Sequence, residues 1–341
     1  MVNAKLKPYY SVALSQVLSD DGKYLFIGTN FGEILVFSVE SLTIDISTTE
    51  NPSDENLTID PKIGSNTEPL EVFSATGDKS QIYSLSYFKD VLIVGTNAEI
   101  TGYALKGHKI VKKSWEIRIP STPENAEVNE INCLWLDKEA AVLYAGCGDN
   151  NVYSVSLEDG KILRTFGGHT NYIHSIDGNC KVGQIVSASE DGSIRLWDVR
   201  QKKSSAKLDP YKKDQICRPD FGKWQGSVSI NNDWLICGGG PRFSLWHLRS
   251  NEVTEVFDFP EKIHISGFID DLLMVGGDYK TVQQYDLSGK LVTELPVSSP
   301  SIYSVVWQST PHKLLSLGGS NNVLDICTNF NYRDICLKLY Q

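Results

Sequence analysis

The stretch from Gly168 to Arg200, GHTNYIHSIDGNCKVGQIVSASEDGSIRLWDVR, restricts the fold more than any other part of the chain. Ile185–Ser189 and Ile194–Val199 are short runs, apolar or alternating, and both read as strands. Between them, Asp191-Gly192 is expected to supply the positive φ angles of a two-residue hairpin. The two runs then form the second and third strands of a four-stranded sheet. His169 precedes the first strand, where its imidazole can bond the turn aspartate Asp191 and, through Ser187, the indole N–H of Trp197. By residue type, His169, Ser187 and Asp191 resemble a catalytic triad. The structural reading is preferred, because these groups would be buried and each one left unpaired would cost about 1–3 kcal/mol. His169, Ser187, Asp191 and Trp197 are therefore assigned to a structural network and not to chemistry.

A Gly-His pair at one end and Trp-Asp at the other is the signature of a WD-repeat blade, whose period is about 40–45 residues. Six weaker copies accompany it. Aligned on Trp197, the equivalent positions are Phe37, Tyr103, Val155, Trp246, Tyr285 and Ile326. Seven copies imply an all-β, seven-bladed WD-repeat β-propeller, one closed ring over residues 1–341. The final run, RDICLKLY, is expected to supply the fourth strand of blade seven itself, so the N-terminal AKLKPYYSV is not needed as an exchanged closing strand. Blade one is stretched by residues 43–69, which are polar, acidic and rich in turn formers. Such a segment buries too little apolar surface to offset its ordering entropy, so a mobile loop at the rim is expected.

Composition narrows the chemistry. Forty-two acidic against 32 basic residues give a formal charge of −10, a poor balance for a stand-alone nucleic-acid binder. The seven cysteines are scattered without a C-x-x-C pair, which points to a reducing compartment and away from disulfides or zinc. Neither an 18-residue apolar run nor a signal-peptide core occurs, so a soluble intracellular chain is expected. The six histidines form no ligand cluster, and no nucleophile elbow or dinucleotide fingerprint is found. Gly238-Gly239-Gly240 has no following Lys-Ser/Thr and reads as close backbone packing. No catalytic residue, cofactor or metal is assigned.

Two stretches invite a partner. Lys106, Lys109, Lys112 and Lys113 cluster in blade two, where lysines more commonly blunt an edge strand. The connection YKKDQICRPDFGKWQG (211–226) is longer than blade-to-blade turns require, and it carries residue types enriched at interface hot spots. Arg218, Trp224 and Arg242 are the candidate partner-binding residues.

Several runs go beyond generic blade features: NDWLICGGGPRFSLWHLRS (232–250), the 211–226 connection, GHTNYIHSI (168–176), SDDGKYLFIGTNFGEILVFSV near the start and TNFNYRDICLKL (328–339). In these the chain resembles THO complex subunit 6, a WD-repeat family of the THO/TREX mRNA-export machinery. The resemblance spans essentially the whole chain. It implies a non-catalytic scaffold subunit that docks on coiled-coil THO subunits 5 and 7 within a nuclear hetero-oligomer. Transcription- and splicing-coupled mRNA export is the implied process, with any RNA contact weak or indirect. Trp197-Asp198-Val199-Arg200 also matches the box of WD-repeat substrate receptors in cullin-4 ubiquitin ligases, which is the alternative reading.

Overall fold

The computed structural model describes residues 6–47, 62–63, 68–77, 80–120, 129–201 and 203–340. Seven antiparallel sheets follow one another around a ring. Blade four is built from Ile173–Asn179, Gln184–Ser189, Ile194–Asp198 and Ser204–Leu208, paired in chain order. The six other blades repeat that order, so the seven-bladed propeller expected from the repeats is present.

The apolar residues explain why the sheets stack radially. Buried side chains fall into seven clusters, each lying between two neighbouring blades. Both faces of the inner strands are covered, which is why their sequences read as apolar runs rather than strict alternation. Strand glycines permit the close approach. A Cβ on Gly28, Gly95, Gly146 or Gly238 would collide with Ile82, Ile131, Ile173 or Ile263 of the next blade.

Three details differ from the sequence reading. In the blade-four hairpin only Gly192 takes a positive φ, 90°, while Asp191 does not. Gly192 N–H donates to Ser189 O and Ser189 N–H to Ser193 O, a three-residue loop whose left-handed position falls on glycine. In blade seven the counterpart of Trp197 is Cys327 and not Ile326. Cys327 pairs with Leu315 as Trp197 pairs with Ile185, whereas Ile326 faces Ser316. The third difference concerns the insertion. A helix, Val39–Ser47, runs through its first residues, and Val39 and Leu42 are fully buried in the cluster between blades one and seven. Three residues apart, they share one helix face. Lys62–Ile63 pairs parallel with Ile335–Cys336 on the outer edge of blade seven. The mobility expected for 43–69 otherwise falls on 48–61 and 64–67, which lie outside the described residues.

Blade seven takes its fourth strand, Ile335–Lys338, from the C-terminal segment, and Ala13–Leu18 remains in blade one. Side chains close the seam instead. Gln16 Nε2 donates to Ser304 O and Oγ at 3.2 and 3.0 Å, and Ser316 Oγ donates to Gln16 Oε1 at 2.5 Å. Near the rim, Lys7 Nζ and Tyr340 Oη both donate to Glu33, at 2.5 and 2.7 Å. All seven cysteines are free, and no described helix is long and apolar enough to cross a membrane.

Candidate functional site

Six of the seven first strands carry a β-bulge one residue after their start, as between Ile173 and Ser175 or Ile263 and Ile265. A bulge leaves one residue outside the ladder and re-aims its side chain. The residues set free are Leu14, Asn132, His174, Gly226, His264 and Tyr303, and Tyr83 holds the matching place in blade two. All line one cavity of about 620 Å³ at the mouth of the central channel.

Blade five breaks the ring's pattern, because Gly226 contributes no side chain. Trp224 fills the space: a Cβ on Gly226 would collide with its six-membered ring. The indole stacks on His264 at 5.4 Å between centroids and meets His174 edge-on at 6.2 Å. Its Nε1–H donates to Phe221 O at 3.0 Å. Tyr303 continues the arc with its ring 5.2 Å from His264. Two carboxylates join from the ends of second strands. His174 Nε2 lies 2.8 Å from Glu190 Oε2, and His264 Nε2 lies 2.8 Å from Asp278 Oδ1. Burial lowers the His264 pKa and outweighs the opposing pull of Asp278. Among the described residues no cluster of ligand-type side chains could hold a metal ion.

The blade-four network lies on the same face. His169 Nδ1 is 3.0 Å from Asp191 Oδ2, and its Nε2 is 2.8 Å from Ser187 Oγ. Trp197 Nε1–H donates to that same Ser187 oxygen at 2.9 Å. Ser193, outside the residues named from sequence, donates from Oγ to Asp191 Oδ1 at 2.7 Å. Ser187 and Trp197 are fully buried and His169 nearly so, which leaves no room for a substrate beside the serine.

The 211–226 connection folds on itself through two 3₁₀ turns, Pro210–Lys212 and Pro219–Phe221. The structure places Arg218 as the pin of this loop rather than at its surface. Its Nε donates to Gly240 O at 2.8 Å, Nη1 to Phe259 O and Pro260 O, and Nη2 to Gly239 O, Pro241 O and Glu261 O. Every guanidinium nitrogen is thereby engaged, and burial, with Arg242 nearby, lowers its pKa to about 10. The Gly238–Gly240 triplet makes this approach possible, since a Cβ on Gly239 or Gly240 would collide with the carbonyls of Trp224 or Gly222. Arg242 points outward, 3.2 Å from the exposed Asp258. Trp224 and Arg242 thus remain accessible to a partner, with Arg218 behind them.

Comparison with known proteins adds to this geometry. The WD domain, G-beta repeat, matches residues 160–198, most of blade four with the end of blade three. THO complex subunit 6 of Drosophila melanogaster is 40% identical over 343 residues, covering 100% of this chain and 93% of that protein. Its human counterpart is 33% identical over 342 residues, covering 98% and 94%, and the Danio rerio homolog 31% over 329 residues, covering 95% and 96%. The chain belongs to the THO complex subunit 6 family.

For a THO complex subunit 6 family member, the opposite face is informative as well. Arg200 lies there and turns back on Asp198, with Nε–Oδ1 and Nη2–Oδ2 both at 2.8 Å. Asp198 and Arg200 border a cavity of about 340 Å³ between blades four and five, shared with His247 and Arg249. The residues that sequence reasoning missed are those of the channel mouth. Their signal was present as a repeated dipeptide at the start of the first strand: Ile82-Tyr83, Ile131-Asn132, Ile173-His174, Ile263-His264 and Ile302-Tyr303. The isoleucine enters the gap between blades and the next residue enters the channel.

Proposed function

We propose that this chain is a non-catalytic scaffold subunit of a nuclear THO/TREX complex. In this reading it docks on the coiled-coil subunits 5 and 7 and supports transcription- and splicing-coupled mRNA export. The observation that carries the proposal is the similarity along nearly the whole length to proteins named THO complex subunit 6. Physical support comes from the groups a catalyst would need: the histidine–serine pair of blade four is buried and also bonded to an indole. A ring whose strands hold short loops on two faces presents a rigid docking surface.

The surface proposed for docking is the face bearing the 211–226 connection, with Trp224 and Arg242 as contacts and Arg218 holding the loop in shape. Two of the three lysines of the connection are tied to acidic neighbours, Lys212 to Asp209 and Lys213 to Glu252, so those two offer little free charge to an RNA backbone. Affinity purification from nuclear extract tests the assignment. Recovery of the other THO subunits is expected. Recovery of a cullin-4 adaptor without them would replace it with the ligase reading through Trp197-Asp198-Val199-Arg200.

A further inference from the structure

We propose that the mouth of the central channel is a pocket for a cationic side chain, a lysine or arginine, presented by an extended segment of a protein partner. The cavity of about 620 Å³ is large enough for one such side chain and its backbone. Glu190 of blade four and Asp278 of blade six stand on either side of Trp224, and their side chains keep 40% and 32% of their exposure. Glu190 spends one oxygen on His174 and keeps the other open to a further donor, while Asp278, held by both His264 and Ser301, adds its charge to the pocket. Lys262 is the cation among the lining residues, so two carboxylates oppose one ammonium. His264, kept neutral by burial, adds no charge to offset them.

The aromatic groups favour the same ligand. Trp224 stacks on His264 and Tyr303 meets it edge-on, and both rings line the same cavity as Asp278. A cation near an aromatic face and within reach of a carboxylate gains from both, whereas an anion meets two carboxylates. The groups come from several blades and are held by bulges and by the Trp224–Phe221 hydrogen bond, so the pocket is formed before binding. A phosphate backbone is disfavoured on charge. This inference goes beyond complex membership and does not depend on it.

The test is fluorescence anisotropy on the full chain with short labelled peptides of identical flanks and a central arginine, lysine, norleucine or glutamate. Saturable binding of the arginine or lysine peptide is expected, about tenfold or more tighter than norleucine or glutamate, and the tighter of the two names the side chain. Glu190→Gln with Asp278→Asn is expected to weaken it about tenfold with an unchanged melting temperature. Lys262→Ala is the complementary variant, because it removes the repelling charge and is expected to strengthen binding about twofold, which damage to the fold cannot imitate. Norleucine binding as tightly as the cationic peptides, or no saturable binding, would overturn the proposal. So would tightness unmoved by the paired variant with Lys262→Ala also without effect.

Discussion

Trp197 and His169 share one oxygen: Ser187 Oγ accepts from the indole at 2.9 Å and lies 2.8 Å from His169 Nε2. If the serine accepts from the indole, its own proton goes to the imidazole, and the imidazole must then donate through Nδ1 to Asp191. The chain is complete only with a neutral histidine. Asp191→Ala removes its terminus and leaves the buried imidazole N–H with only Ser193 Oγ, at 3.2 Å, within reach. A loss of about 1–3 kcal/mol is expected from urea unfolding. A midpoint equal to wild type would show that water serves as well as the carboxylate.

Neutrality of His169 sets a pH dependence. Burial lowers its pKa below the ordinary 6.5, against the opposing pull of Asp191. The unfolded chain then binds the proton more readily than the folded one. Stability is therefore complete above about 6.5 and declines as pH falls through and below that value. His264 is shifted the same way and adds to the trend. The lowered Asp191 pKa acts only beneath its ordinary 3.8, outside this window. The urea midpoint is expected to be lower at pH 5.5 than at pH 7.5, and the difference to shrink in His169→Gln. A midpoint that rises on acidification would contradict the neutral assignment.

Arg218 and Arg242 sit on the same face and should behave oppositely. Arg218→Ala strips the hydrogen bonds from several loop carbonyls, so a loss of about 2–3 kcal/mol is expected, with matching loss of melting temperature. Arg242 pairs with Asp258, whose side chain is 96% exposed, and such a pair contributes about 0–1 kcal/mol. Arg242→Ala should melt like wild type while reducing recovery of partner subunits. Equal melting temperatures for the two variants would remove the clamp from the account.

Closure of the ring makes its own prediction. Lys7 and Tyr340, near opposite ends of the chain, meet on Glu33. Glu33→Ala should expose the seam between blades one and seven, so hydrogen exchange in Ile335–Lys338 should accelerate before exchange in blade four does. Uniform acceleration around the ring would place the weak point elsewhere.

What could be read from sequence follows from where each interaction lies along the chain. Blade four was legible because its network joins residue types in the order that marks a repeat, with His169, Asp191 and Trp197 within one blade. Blade seven was read one residue out of register, because Leu-Asp-Ile-Cys offers apolar residues at adjacent positions and burial on both faces erases the period of two. Nothing in the polar, turn-rich run 43–69 marks the helix that begins at Val39, because that helix forms where the seam gives Val39 and Leu42 an apolar surface to cover. At the channel mouth, His174 meets a carboxylate 16 residues away and His264 one 14 residues away, across bulges that strand alternation does not foretell. Arg218 was noticed for its residue type, but its partners are backbone carbonyls, which side-chain patterns do not reveal.

Docking on the other THO subunits through the face carrying the 211–226 connection is the proposal on which the functional reading rests. Lysine-directed cross-linking of the complex, purified through this chain, tests it most directly. Links from Lys213, Lys223 or Lys262 to other THO subunits are expected. THO subunits linked only through Lys106, Lys109 or Lys112 of blade two, or no THO subunit linked at all, would contradict it.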